Sequence, residues 1–222
     1  MTEFTMPATR GKAVLEQLRQ EIISGELEPG APVRDAEIAG RLGVSITPVR
    51  EAIAQLGLER LVDIQPNRKR TVIVLTRKSA LELMDVVELL NCTGFAWGVG
   101  HLEDGDLLRL RARLGEFEAA LAAGDLAAAS RAGLAFGNVV IGACGNRELL
   151  HQIDLVLART RRLFALVTDQ PPVWDIWLQG CRQVLTHLEN QEKDAAVNRY
   201  REIYTDLRAR VSELPLPGNP AE

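Results

Sequence analysis

The sequence has no apolar run of the ~18 residues that a membrane-crossing helix needs. The longest candidate, Leu134 to Cys144, is short and holds Gly137, Asn138 and Gly142. The opening stretch, MTEFTMPATRGK, lacks the apolar core of an export signal, so a cytoplasmic location is expected. Cysteine is scarce. Cys92, Cys144 and Cys181 are odd in number and far apart, which excludes a disulfide scaffold and suits a reducing compartment. Histidine is as scarce: His101 closes a helical stretch, and His151 and His187 match no ligand spacing. There is no set of nucleophile, base and orienting group, no phosphate-cradling glycine loop and no cluster of metal ligands. An enzyme is therefore not expected. The net charge of −4 excludes nucleic-acid binding through the whole surface, but not through a local basic element. Residues 1–76 carry ten Lys/Arg against ten Asp/Glu, so all of the excess acid lies beyond them.

What is present is an ordinary globular composition over 222 residues, 46% hydrophobic and 25% charged, too apolar for a disordered chain. At ~100–200 residues per domain, this length makes one large domain or two modest ones. The patterning divides near residue 76. Val14, Leu15, Leu18 and Ile22 share one helical face, and Gly25 and Glu28-Pro29-Gly30 end that helix. Asp35 is expected to cap a second helix with apolar positions Ile38, Ala39 and Leu42, which Gly43 ends. Ser45 or Thr47 is expected to cap a third, with Pro48 in its first turn and Val49, Ala52, Ile53 and Leu56 buried. Two short strand-like runs follow, Leu61–Gln65 and Thr71–Leu75, around the basic turn Pro66-Asn67-Arg68-Lys69-Arg70. Three helices and a two-stranded hairpin make a winged helix over residues 10–76.

Beyond it the strand signal disappears. Leu107, Leu110, Leu114, Phe117 and Leu121 form a helical stripe, as do Ala196, Tyr200, Ile203, Leu207 and Val211. Breaks at Ala123-Gly124-Asp125, Gly145-Asn146, Asp169 to Pro172 and Gln191 to Asp194 leave an all-α bundle of six or seven helices over residues 77–214. The fold class is thus mainly α: an N-terminal winged helix-turn-helix followed by a helical bundle.

A helix-turn-helix can place its second helix in a major groove with the N-terminal residues aimed at base edges. The exposed positions expected there are Ser45, Ile46, Thr47 and Arg50. Arg50 can grip a guanine or a phosphate with two hydrogen bonds, Ser45 and Thr47 can donate to phosphates, and Ile46 can touch a thymine methyl. The wing basics Arg68, Lys69 and Arg70 can follow the backbone or reach the minor groove. The competing reading makes Arg50 and Glu51 a surface ion pair and residues 68–70 a solvated turn.

Residues 13–75 resemble the DNA-binding domain of the GntR family of bacterial transcription regulators. The resemblance rests on Ile22-Ile-Ser-Gly-Glu-Leu-Glu-Pro-Gly30, Glu37-Ile-Ala-Gly-Arg-Leu-Gly-Val-Ser45, Thr47-Pro-Val-Arg-Glu-Ala-Ile53 and Leu61-Val62, in matching order and spacing. It implies that Arg50 contacts DNA. Two other arginines usual in the family are replaced here by Ile46 and Ala36, with Arg34 close to the second, and Lys69 stands where the wing glycine is usual.

Residues 79–213 resemble the FCD class, the effector-binding and dimerising half of FadR-type regulators, through Leu83 to Glu88, Phe136, Gly145-Asn146-Arg-Glu-Leu149, Val184-Leu185, Asp194 and Ala196. Many such domains hold a divalent metal with one Asp and three His. The corresponding positions here are Gly133, Gly137, Cys181 and either Ile203 or Tyr204, so no metal and no other cofactor is expected; a lone thiolate cannot close a metal site. Two glycines inside a helix cost about 1 kcal/mol each relative to alanine. One reading is that they clear room for an organic ligand, with Asn91, Asn138, Arg161 and Arg182 as polar partners; the other is that a neighbouring helix packs against them. Trp174 and Trp177 can line such a pocket or be core.

The resemblance implies a homodimeric regulator, a repressor by family habit, with double-stranded DNA and a small-molecule effector, an organic acid for choice, as partners. Inverted-repeat half-sites follow from the two-fold axis of a dimer. The alternatives are a metal-dependent or enzymatic helical domain fused to a DNA-binding module, and an architectural DNA-binding dimer without an effector.

Overall fold

The structure, a computed structural model, describes residues 10–66, 69–166 and 171–216. The chain divides into two compact units, Met1–Leu75 and Thr76–Glu222.

The first unit contains α1 (Arg10–Ser24), α2 (Asp35–Leu42) and α3 (Ile46–Leu58), then β1 (Val62–Ile64) and β2 (Arg70–Val72). The strands pair antiparallel, Val62 opposite Val72 and Ile64 opposite Arg70. They are shorter than the apolar runs suggested. A third extended segment lies beside β2, which alternation alone did not reveal: Gly30 N donates to Val72 O at 2.8 Å and Val33 N to Arg70 O at 2.9 Å. Val14, Leu18, Ile22, Val49, Ile53, Leu56 and Leu61 are buried together as the core. Removing such a side chain from water is worth about 1.5–3 kcal/mol. Polar clamps add to it. Arg41 donates two bonds, at 2.7 and 2.6 Å, to Glu21, whose side chain is only 1% exposed, and this holds the Glu21 carboxyl below its ordinary value. Arg19 grips Glu59 in the same two-bonded way, at 2.8 and 2.7 Å.

The turn between α2 and α3 is tight because Gly43 is left-handed, with φ 64°, and its N–H bonds to Ala39 O. Two expected caps take other forms. Arg34, not Asp35, stands at the N-cap of α2, and Asp35 is the first helical residue. Ser45 occupies the N-cap of α3 in extended conformation, but its side chain makes no capping bond.

The second unit is helical among its described residues: α4 (Arg77–Gly98), a single 3₁₀ turn (Val99–His101), α5 (Asp104–Ala122), α6 (Leu126–Gly142), α7 (Arg147–Leu166), α8 (Pro171–Glu189) and α9 (Lys193–Glu213). Thr76 and Ser79 cap α4 reciprocally, and Asp125 caps α6 by accepting from Ala128 N at 2.8 Å. Helix α4 packs against α6, α7 and α9, while α5 packs on α6 and α8.

The crossing of α4 and α6 is nearly backbone to backbone. A Cβ added at Gly98 would lie 1.9 Å from the carbonyl oxygen of Val140, so only glycine permits the approach. By contrast a Cβ at Gly115, inside α5, meets nothing within 4 Å. Gly98→Ala should therefore destabilise the protein by at least about 1–3 kcal/mol through overpacking. Gly115→Ala should stabilise it by up to about 1 kcal/mol. Urea unfolding of the two variants checks this; equal effects would contradict the crossing geometry.

Candidate functional site

In the first unit, the N-terminal turn of α3 presents Ser45, Ile46, Thr47 and Arg50 to solvent, Ile46 at 41% exposure. Their common face follows from the left-handed stop at Gly43, which ends α2 three residues before α3 begins.

The cations around this face are matched to acids. Arg50 Nε donates to Asp35 Oδ2 at 2.8 Å, so its partner is Asp35 rather than its neighbour Glu51. The other oxygen of the same carboxylate takes Arg70. Arg34 donates to Glu37 at 2.6 Å on the surface. Asp35, read from the sequence as a cap, is thus the node that ties the first turn of α2 to α3 and β2. Sequence reasoning missed this role because nothing in the local pattern links residues 35, 50 and 70. Arg70 stands inside β2 rather than in the turn, with its side chain 23% exposed. Lys69 is exposed, and Arg68 lies outside the described residues.

In the second unit, the space expected at Gly133 and Gly137 is filled. A Cβ at Gly133 would lie 2.7 Å from the indole of Trp177, and one at Gly137 would lie 2.4 Å from the Tyr200 hydroxyl. Trp177 stacks on Phe164 and Trp174, with centroids 4.9 and 5.9 Å apart, and meets Phe117 edge-on. Tyr200 stacks on Phe95 at 4.0 Å, and its hydroxyl lies 3.3 Å from that of Tyr204. The glycines therefore admit aromatic rings of the protein's own core, which is the packing reading of the two, and no ligand space opens beside them.

The polar residues assigned to that pocket scatter. Asn138 is exposed. Arg182 is on the surface, paired with Glu118 at 2.8 Å. Asn91 is buried, but its amide is spent on Val87 O at 2.9 Å within its own helix. Cys181 is buried, which pushes its thiol well above the usual range. Of these residues, Arg161 is the one that keeps a buried Nε with no hydrogen-bond partner among the described residues.

The two units match two family models: "Bacterial regulatory proteins, gntR family" over residues 10–72, and "FCD domain" over residues 82–206. The chain belongs to the GntR family, with an FCD domain as its helical part. A probable D-xylose utilization operon transcriptional repressor of Paenarthrobacter nicotinovorans is 28% identical over 193 residues, 85% of this chain and 82% of that protein. The HTH-type transcriptional regulator McbR of Escherichia coli K12 is 30% identical over 113 residues, 51% of each. The solved structure of E. coli McbR/YncC superposes with a TM-score of 0.78 over 92% of this chain and 98% of that one, at 21% identity, and so shows a shared fold. This GntR-family chain is accordingly a DNA-binding transcription regulator.

The positions that the FCD resemblance assigns to metal ligands, with Ile203 or Tyr204 as the last, do not fit a metal. Gly133 and Gly137 offer no side chain, and Ile203 offers no donor atom. Burial favours the protonated thiol at Cys181 and the protonated hydroxyl at Tyr204. Among the described residues no three or more His, Cys, Asp and Glu side chains gather as a metal would require.

The packing makes a coupled prediction. Gly137→Ala should destabilise the FCD domain by about 1–3 kcal/mol, because the new methyl group meets the Tyr200 hydroxyl. Tyr200→Phe in the same chain should recover part of that loss, since it removes the atom in the way. Strictly additive thermal-unfolding effects would contradict the contact.

Proposed function

We propose that this protein is a ligand-responsive repressor that binds an inverted-repeat operator as a homodimer in the cytoplasm. The observation that carries the DNA-reading half is the exposed set Ser45, Ile46, Thr47 and Arg50 on the first turns of α3, directly after the left-handed Gly43. That turn brings backbone N–H groups and hydroxyls to phosphates, and a guanidinium to base edges. Arg34, Arg68, Lys69 and Arg70 are proposed to add backbone contacts. Relatives named as repressors support the sign of regulation.

The dimer is supported by α4, where Val86, Leu89 and Trp97, spaced by three and eight residues, share one helical face and are 44%, 66% and 50% exposed. A second copy of the chain would cover such a stripe, and a dimer is also what lets short recognition helices find one site in a genome. The effector is proposed to be an organic acid, and Arg161, with its unpartnered buried Nε, is its best-placed anchor. An architectural dimer without an effector is the second reading; it is favoured by the filled core at Gly133 and Gly137.

Selection of bound duplexes from a random pool, at fixed salt, tests the proposal. A short inverted repeat should be enriched. Arg50→Ala should weaken binding to that repeat by about 1–3 kcal/mol and blur one position of each half-site. Salt-sensitive binding without enrichment would contradict a sequence-specific regulator. A thermal-shift screen of small organic acids separates sensor from architectural dimer: a stabilising acid whose effect is lost in Arg161→Gln supports the first, and no response supports the second.

A further inference from the structure

Asp35 takes a different arginine on each of its carboxylate oxygens. Its two carboxylate oxygens are shared between two elements: Oδ2 receives Arg50 from the recognition helix and Oδ1 receives Arg70 from the wing strand. Its side chain is 16% exposed, whereas that of Arg50 is 65% exposed. The bond to Arg50 uses Nε, on the inner edge of the guanidinium. The two terminal nitrogens, which form the fork that pairs with guanine O6 and N7, remain available.

From this geometry we infer that Asp35 is a positioning residue for sequence readout. It fixes the plane of the Arg50 guanidinium before DNA arrives and aims the terminal nitrogens outward, while its second oxygen holds the wing strand in register with α3. A flexible arginine must lose rotamer freedom on docking; one already held by its Nε loses less, and it is held at one angle. The carboxylate also neutralises cations at a face that meets phosphates. Asp35 therefore lowers attraction to any duplex while sharpening discrimination among duplexes, which raises specificity at the expense of general affinity. The electrostatic side of this accords with the balance of ten basic and ten acidic residues in the first 76.

The inference rests on the reading of α3 as the recognition helix, and the test separates the two. The full-length protein is measured by fluorescence anisotropy on the selected repeat, on repeats substituted one base pair at a time, and on a random duplex. Asp35→Asn should bind the random duplex more tightly and lose about tenfold in the ratio of repeat to random affinity. The lost preference should fall at the same base pair that Arg50→Ala blurs, and Asp35→Asn should add little to Arg50→Ala at that position. Asp35→Glu, which keeps the charge, should restore part of the ratio. Thermal unfolding of each variant, compared with its base preference, guards against a loss of fold, which would weaken all duplexes together. An equal shift on all duplexes, or a lost preference at a different base pair, would overturn the role of Asp35 while leaving the recognition helix intact. An Arg50→Ala variant with unchanged base preference would overturn both.

Discussion

The helical domain is organised by places where a helix has no side chain. At Gly98 the backbones of α4 and α6 come so close that a methyl group would collide with a carbonyl oxygen. At Gly133 and Gly137 the vacated side of α6 receives the rings of Trp177 and Tyr200. These rings belong to two aromatic clusters, one built by Phe117, Phe164, Trp174 and Trp177, the other by Phe95, Tyr200 and Tyr204. Close-packed interiors tolerate little change in volume. An indole that sits against bare backbone therefore requires the glycine as much as the glycine's helical cost requires the indole. The FCD framework is kept, and the volume beside the two glycines that the FCD resemblance assigns to metal ligands is occupied by Trp177 and by Tyr200, which is bonded to Tyr204. Burial raises the titration of both tyrosines and of Cys181, so it favours the neutral form of these three groups.

The winged unit follows the opposite logic. Its apolar core is braced by charge pairs that join elements distant in sequence: Glu21 with Arg41, Arg19 with Glu59, and Asp35 with Arg50 and Arg70. The first of these is the most demanding, since a nearly inaccessible carboxylate left without its guanidinium would be costly. The last lies beside the exposed first turns of α3, where Asp35 holds Arg50 by its Nε and leaves the terminal nitrogens open. A chain of net charge −4 can still be a DNA-binding protein because its cations are placed rather than plentiful.

Much of this was legible in the sequence, because helix stops and periodic apolar faces are local. Gly43, Pro48 and the spacing of Val49, Ala52, Ile53 and Leu56 specify the helix-turn-helix, and the four GntR-like stretches specify its family. The contacts that set the sites were not legible, because they join positions far apart. Residues 35, 50 and 70 meet only after folding, so Asp35 read as a cap. Gly133 and Gly137 were visible as anomalies in a helix, but only the fold decides whether the space they leave holds a ligand or a ring from α8 and α9. Asn138 and Arg182 lie on the surface for the same reason: a polar residue on an apolar helix looks inward until the neighbouring helices are in place.

The helical domain is filled by its own rings at the positions that the FCD resemblance assigns to a metal. Metal uptake tests it most directly. The purified full-length protein would be equilibrated with manganese, zinc or nickel, freed of excess ion, and assayed for bound metal and for melting temperature. The packing predicts far less than one ion per chain and an unchanged melting temperature. One tightly held ion per chain, with a raised melting temperature, would contradict it.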